Sequence, residues 1–316
     1  MNVNVKTGPL VFAALAIACS SCGGGGTASW TSVPSGTTIG LAAIWGSSTS
    51  DIWAVGLNGV MLHWNGKAWS STPSGTASNL FAIWGPSATD IWAVGGDGAA
   101  VHWDGTSWSA VSTGTATVFW GVWGSGSRDV WAVGETADYT NTILHWNGTA
   151  WSVASTGATL WHDAVWGSSA SDVWTSGNDR DLSGTLAHWD GSSWSSVPSG
   201  TKELLSGVWS AGASDAWAVG GDINEDTGTI VHWDGTAWST FSIPATSYLN
   251  AVRGTGPDNV WAFGVDGAIL HWDGTAWSSM PNKTKQQLYG IWGSGADDAW
   301  AVGDDGVILR WDARGP

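Results

Sequence analysis

Seven copies of a unit of 39 to 44 residues, four tryptophan columns at fixed spacing within each copy, and turn residues between short apolar runs predict the fold class. Together they describe an all-β chain, a single seven-bladed β-propeller with four strands per blade. A unit of that length cannot bury its own apolar faces, so neighbouring copies must cover them.

The first complete unit runs from Leu41 to Thr76 and reads LAAIWGSSTSDIWAVGLNGVMLHWNGKAWSSTPSGT. Its strands are expected at Leu41 to Trp45, Ile52 to Val55, Val60 to Trp64 and Ala68 to Thr72, where β-branched and aromatic residues concentrate. Asn65-Gly66, Asp104-Gly105 and Asp273-Gly274 read as two-residue hairpin turns. The first tryptophan column is Trp45, Trp84, Trp123, Trp166, Trp209 and Trp292, with Arg253 in the sixth unit. The second is Trp53, Trp92, Trp131, Trp174, Trp217, Trp261 and Trp300, and the third is Trp64, Trp103, Trp146, Trp189, Trp233, Trp272 and Trp311. The fourth is Trp30, Trp69, Trp108, Trp151, Trp194, Trp238 and Trp277. Of the 29 tryptophans only Trp120 and Trp161 fall outside. A large ring at one place in every blade fills the wedge between blades, so the columns read as packing.

The last unit stops after its third strand, at Trp311-Asp312. Ser29 to Pro34 resembles the missing fourth strand, so the N-terminal strand is expected to complete the last blade and remove an open edge. The six histidines directly before the third column, among them His63 and His271, suggest a repeated structural hydrogen bond. The aspartates two before the second column, such as Asp51 and Asp298, read as corner acceptors for backbone N–H groups.

The formal net charge is −16, which argues against nucleic acid as a partner, because phosphate binding needs a basic surface. It also argues against a basic patch adhering to anionic lipid. Residues 1–18 read as a signal peptide whose apolar run, Leu10 to Ala18, is too short to span a bilayer. Ala16-Ile17-Ala18-Cys19 resembles a bacterial lipobox, which implies lipidation at Cys19, with Cys22 as the other candidate. Residues 19–28 are then the lipidated cysteine and a Gly-rich tether, and 29–316 the propeller. The expected address is outside the cytoplasm, anchored by lipid to the bacterial membrane, on the outer membrane or cell surface. No cysteine remains in the repeats to form a disulfide, ligate metal or act as a nucleophile.

The pattern D-x-W-A-V-G-x-x-G-x-x-x-H-W-D-G-x-x-W is similar to repeats in secreted tryptophan-rich propellers of myxobacteria. More distantly it resembles Ycf48-like photosystem-assembly propellers and sialidase-type Asp-box repeats. The sialidase likeness implies an arginine triad that this chain does not supply, since two of the five arginines in the repeats, Arg310 and Arg314, lie at the C-terminal end.

Function is expected where the repeat departs from itself. The connection between second and third strands is longer in units three to five, and these loops carry Asp138, Tyr139, Asp179, Asp181, Asp222 and Asp226. They share an end of the ring with the starts of the innermost strands. There, the residue two before the first column is always small, whereas the residue three before varies: Ala42, Phe81, Trp120, Asp163, Ser206, Asn250 and Tyr289. The residue five before also varies and includes Trp161 and Tyr248. Trp120, Trp161, Asp163, Tyr248 and Asn250 are therefore the candidates at the mouth, with the loop carboxylates and Tyr139 as a wall. The expected function is non-enzymatic binding of a glycan or a protein partner by a monomer without cofactor or metal. The alternatives are a structural or assembly scaffold, and a hydrolase or lyase using His162 and Asp163.

Overall fold

The structure, a computed structural model, describes residues 28–136, 141–154, 161–179, 181–244 and 246–313. Seven four-stranded antiparallel sheets form the blades. Blade 1 consists of Leu41–Ser48, Asp51–Gly56, Met61–Trp64 and Trp69–Ser71, from the axis outward. Blades 2 to 6 span 80–110, 118–154, 161–197, 204–240 and 249–279. Blade 7 takes Leu288–Gly295, Asp298–Gly303 and Ile308–Asp312 from the end of the chain and Ser29–Ser32 from its start. Ser29 lies opposite Asp312 and Ser32 opposite Leu309, so the ring closes as the repeat pattern predicts.

Tryptophan packing joins the blades. In blade 1 Trp53 touches two rings of blade 2, Trp103 at 5.1 Å and, edge-on, Trp108 at 5.4 Å. Every interface repeats this contact, with edge-on angles of 74° to 88°. At the closure Trp261 meets Trp311 and Trp30, and Trp300 returns to Trp64 and Trp69 of blade 1. The second-column rings are at most 2% exposed. Edge-to-face pairs add about 0.5–1.5 kcal/mol each beyond the apolar area they bury.

The first column serves the axis side. Trp84, Trp123, Trp209 and Trp292 each lie over a glycine of the next blade, Gly124, Gly167, Gly254 and Gly46. A Cβ at Gly254 would sit 2.4 Å from the Trp209 ring, so the contact excludes any side chain. Blade 5 carries Ser210 where these blades have glycine, and Ser210 is buried. The preceding ring, Trp166, instead stacks under the guanidinium of Arg253, 3.3 Å from its centroid. The two departures from the repeat, Ser210 and Arg253, thus flank one local rearrangement.

The corner aspartates do something other than the expected backbone bonding. Asp51 accepts hydrogen bonds from the Ser47 hydroxyl and, at 2.7 Å, pairs with His63 Nε2. His63 in turn stacks on Trp53 at 4.2 Å. The carboxylate therefore fixes the histidine that backs the belt ring, and the regular histidines have the structural hydrogen bond anticipated for them. Blade 6 keeps the geometry with a neutral pair, Asn259 and His271 at 2.7 Å. Blade 7 keeps it with Arg310, whose Nε donates to Asp298 at 3.0 Å and whose guanidinium lies over Trp300. The Asn-Gly and Asp-Gly turns also differ from the expected two-residue form. Trp64 pairs with Trp69, leaving four residues in the loop, and Asn65 Oδ1 accepts the N–H groups of Lys67 and Ala68.

Trp30 is 5% exposed and sits in the seam between blades 6 and 7. Deleting residues 1–34 is expected to lower the melting temperature by roughly ten degrees or more, whereas deleting 1–27 leaves it unchanged. Thermal unfolding followed by circular dichroism compares the two, and equal midpoints would remove Trp30 from the closure. Trp131→Ala, a belt position at 2% exposure, is expected to cost roughly 3–5 kcal/mol in urea unfolding.

Candidate binding site at the mouth of the central channel

Each innermost strand has an irregularity at the same place. In blade 1 Leu41 pairs with Gly56 and Ala43 with Val55, so Ala42 has no partner of its own in the ladder. The same slip skips Phe81, Trp120, Asp163, Ser206, Asn250 and Tyr289 in blades 2 to 7. A bulge of this kind re-aims the extra side chain. All seven extra residues line one cavity of about 480 Å³ on the axis, with Gly40, Leu41, Leu57 and Asp304. The variable column of the sequence is the wall of this cavity.

The small column beside it has a steric cause. A Cβ on Gly121 would lie 2.9 Å from the Val165 nitrogen, and one on Gly290 2.8 Å from the Ala43 Cα. Neighbouring innermost strands approach too closely there for larger residues. Deeper in, Ile44, Ile83, Val122, Val165, Val208, Val252 and Ile291 form an aliphatic collar, each 5–8% exposed. Below the mouth the channel narrows to about 160 Å³ and reaches Trp45, Trp166 and Arg253. Arg253 has no ion pair or hydrogen bond among the described residues, and burial lowers its pKa to about 9.

The mouth is aromatic and acidic. Phe81 and Trp120 pack at 4.5 Å between centroids. Trp120 is 37% exposed and Tyr289 36%. The Tyr289 hydroxyl donates to Asp304 Oδ2 at 3.4 Å. Asp163 Oδ2 accepts from Asn178 Nδ2 at 3.0 Å, and Asn178 is itself oriented by accepting the Leu205 N–H. Burial pushes the Asp163 carboxyl up to about 7, and the like charge of Glu135 adds to the effect.

Of the sequence candidates, Trp120, Asp163 and Asn250 line the cavity. Tyr248 does not: it is buried, with its hydroxyl bonded to Ser206, which does line it. Trp161 begins the innermost strand of blade 4 and is half-buried outside the lining. Three of the loop carboxylates accept backbone N–H groups. Asp179 Oδ1 accepts from Asp181 and Ser183, Asp222 Oδ1 from Asn224 and Glu225, and Asp226 Oδ1 from Tyr248. Asp181 is exposed, and none of these four lines the cavity. Cys19, Cys22, Asp138 and Tyr139 lie outside the described residues. Phe81, Ser206, Tyr289 and Asp304 join the wall without having been singled out. The first three were legible as members of the variable column, and Asp304 only from the fold.

His162 is 2% exposed and does not line the cavity. It occupies the place of Leu41, Leu80 and Leu205 in other blades, and burial lowers its pKa to about 4. Among the described residues no cluster of three or more His, Cys, Asp or Glu side chains could hold a metal ion.

No protein-family model matches the sequence, and no curated protein matches it. Solved structures share the fold. The chain is similar to YCF48 bound to a D1 peptide, at 17% identity and a TM-score of 0.70 over 90% of this chain and 96% of that one. It is similar to YCF48 from Cyanidioschyzon merolae at 18% identity and a TM-score of 0.70, over 90% and 99% of the two chains. The WD40 β-propeller domain of Doa1 follows at 13% identity and 0.69, over 92% and 99%.

His162 and Asp163 should give opposite pH dependences. Between pH 4 and 6.5 the unfolded chain binds a proton at His162 (ordinary pKa 6.5) that the fold excludes, so stability rises with pH. Between 3.8 and 7 the fold retains a proton at Asp163 that the unfolded chain releases, so stability falls. Each slope is about 1.4 kcal/mol per unit, and the two oppose. Removing the falling contribution, Asp163→Asn is expected to gain roughly 3 kcal/mol relative to wild type across pH 4 to 6.5. His162→Leu is expected to lose a similar amount. Urea unfolding across the window reads both, and parallel profiles for the two variants would refute the assignment.

Proposed function

We propose that this protein is a non-enzymatic binding propeller, tethered by lipid on Cys19, that receives part of a protein partner in the mouth of its channel. The observation that carries this reading is the set of seven bulges that turn the variable residues onto one cavity. Volumes of ~300–1,000 Å³ with mainly apolar walls and a few polar groups are those of ligand pockets. The aliphatic collar narrows the channel beneath, which favours entry from the mouth. The fold likeness to YCF48 bound to a D1 peptide supports a protein partner.

A second reading, a glycan ligand, is favoured by the exposed Trp120 ring beside Asn250 and Asp163, since sugars stack on aromatic faces and hydrogen-bond to such groups. A photo-reactive residue at position 120 is expected to yield a discrete adduct in cells making the protein. The same residue at position 67, in a turn at the other end of the ring, is expected to yield none. Protease-sensitive adducts support the first reading and binding on a glycan array the second. Equal labelling from both positions sinks both. Trp120→Ala with Phe81→Ala should abolish the interaction and leave the melting temperature within a few degrees.

The anchor has its own test. Cys19→Ala is expected to release the protein to the soluble fraction and end incorporation of labelled palmitate. Incorporation lost only in Cys22→Ala moves the site to Cys22, and none in the wild type ends the lipoprotein reading.

A further inference from the structure

The partner's chemistry can be read from what the mouth lacks. Two carboxyl groups line it, Asp163 and Asp304, and among the described residues no lysine, arginine or histidine does. Asp163 Oδ2 is held by Asn178, while Oδ1 takes no hydrogen bond from a described residue. The other charged group acting on Asp163 is Glu135, a like charge, and its histidine neighbour His162 is held neutral by burial. Tyr248, behind Ser206, is a phenol whose own pKa burial raises. The half-buried carboxyl thus has no counter-charge among the described residues, an arrangement that is costly unless a cation arrives.

The rest of the wall suits a cation on an apolar stem. The Phe81–Trp120 pair and Tyr289 present aromatic faces, which attract ammonium and guanidinium groups. Leu57, 40% exposed, offers apolar contact for methylenes. In the described turns at this end of the ring aspartates, Asp97, Asp222, Asp266 and Asp305 among them, outnumber the lysines Lys202, Lys283 and Lys285, and so steer a positive segment inward.

Resting on the binding reading above, we infer that the mouth receives the cationic head of a lysine or arginine side chain of the protein partner, held between the Trp120 ring and the Asp163 and Asp304 carboxylates. Entry of the head ionises Asp163, and its proton leaves to solvent. Atoms balance: one cation binds and one proton is released, with no covalent bond made.

Nα-acetyl-lysine methylamide, the matching arginine compound and the neutral isostere Nα-acetyl-norleucine methylamide are the probes, with methyl glucoside as the sugar control. Calorimetry is run about one pH unit below the Asp163 pKa of about 7, in two buffers of different ionisation heat. The expected result is at least roughly tenfold tighter binding of a cationic probe than of norleucine, with close to one proton released. Asp163→Asn should abolish the proton release and weaken binding roughly tenfold, and Asp304→Asn should weaken binding without changing the release. Norleucine binding as well as lysine, or the glucoside binding better, overturns the cation while leaving the mouth a binding site. Failure of every probe overturns the inference too, and adduct formation at position 120 then reports separately on the binding reading.

Discussion

Every other feature of this molecule depends on one contact, the second-column tryptophan of a blade pressed against the third- and fourth-column rings of the next. It occurs seven times, and the occurrence between blades 6 and 7 needs Trp30 from the opposite end of the chain. Because the contact is made between blades, no blade is complete alone. The Asp–His pair behind each ring is subordinate to it: Asn259 and Arg310 can replace its members provided the ring stays backed. Charge is therefore negotiable at these corners, and the orientation of the indole is not.

This division of labour leaves the axis end of the innermost strands free. The belt lies outward from the channel, so the bulged residues can range from Ala42 to Trp120 without disturbing blade contacts. The glycines and alanines directly after the bulge, and the collar of Ile and Val one residue further on, show that freedom ends at once on that side. A binding surface here is a single ring of seven positions on a rigid frame.

The fold was legible because tryptophan spacing is a count, and counting survives without coordinates. Register gave the strand-level detail less well. The innermost strands run on to residues such as Ser48, and the Asn65 turn holds four residues, because a terminal hydrogen bond leaves no mark in composition. Trp120, Asp163 and Asn250 were legible as irregularities within a column. Tyr248 and Trp161 were misplaced at the mouth because a one-residue bulge separates their column from the one facing the axis, and a bulge has no residue signature here. The long loops drew attention by length, yet Asp179 and Asp222 satisfy backbone amides within their own turns and Asp226 that of Tyr248. Ser210 and Arg253 were visible singly, but their shared consequence for Trp166 requires three dimensions.

Closure by Ser29–Ser32 has a consequence for the order of assembly. Thr31 bonds Arg310 across 279 positions of sequence, so the propeller's first strand to be made is among the last to find its place. Blades 1 to 6 can stack as they emerge, each on its predecessor, through local contacts. The ring itself forms in a single late event that must pay the entropy of bringing both ends together. Until then Trp261 and Phe263 present an uncovered apolar face, and Ile308–Asp312 an unpaired edge. A propeller interrupted anywhere before Asp312 is thus left as a sticky arc instead of a smaller ring, which places the hazard of aggregation at the completion of the last blade.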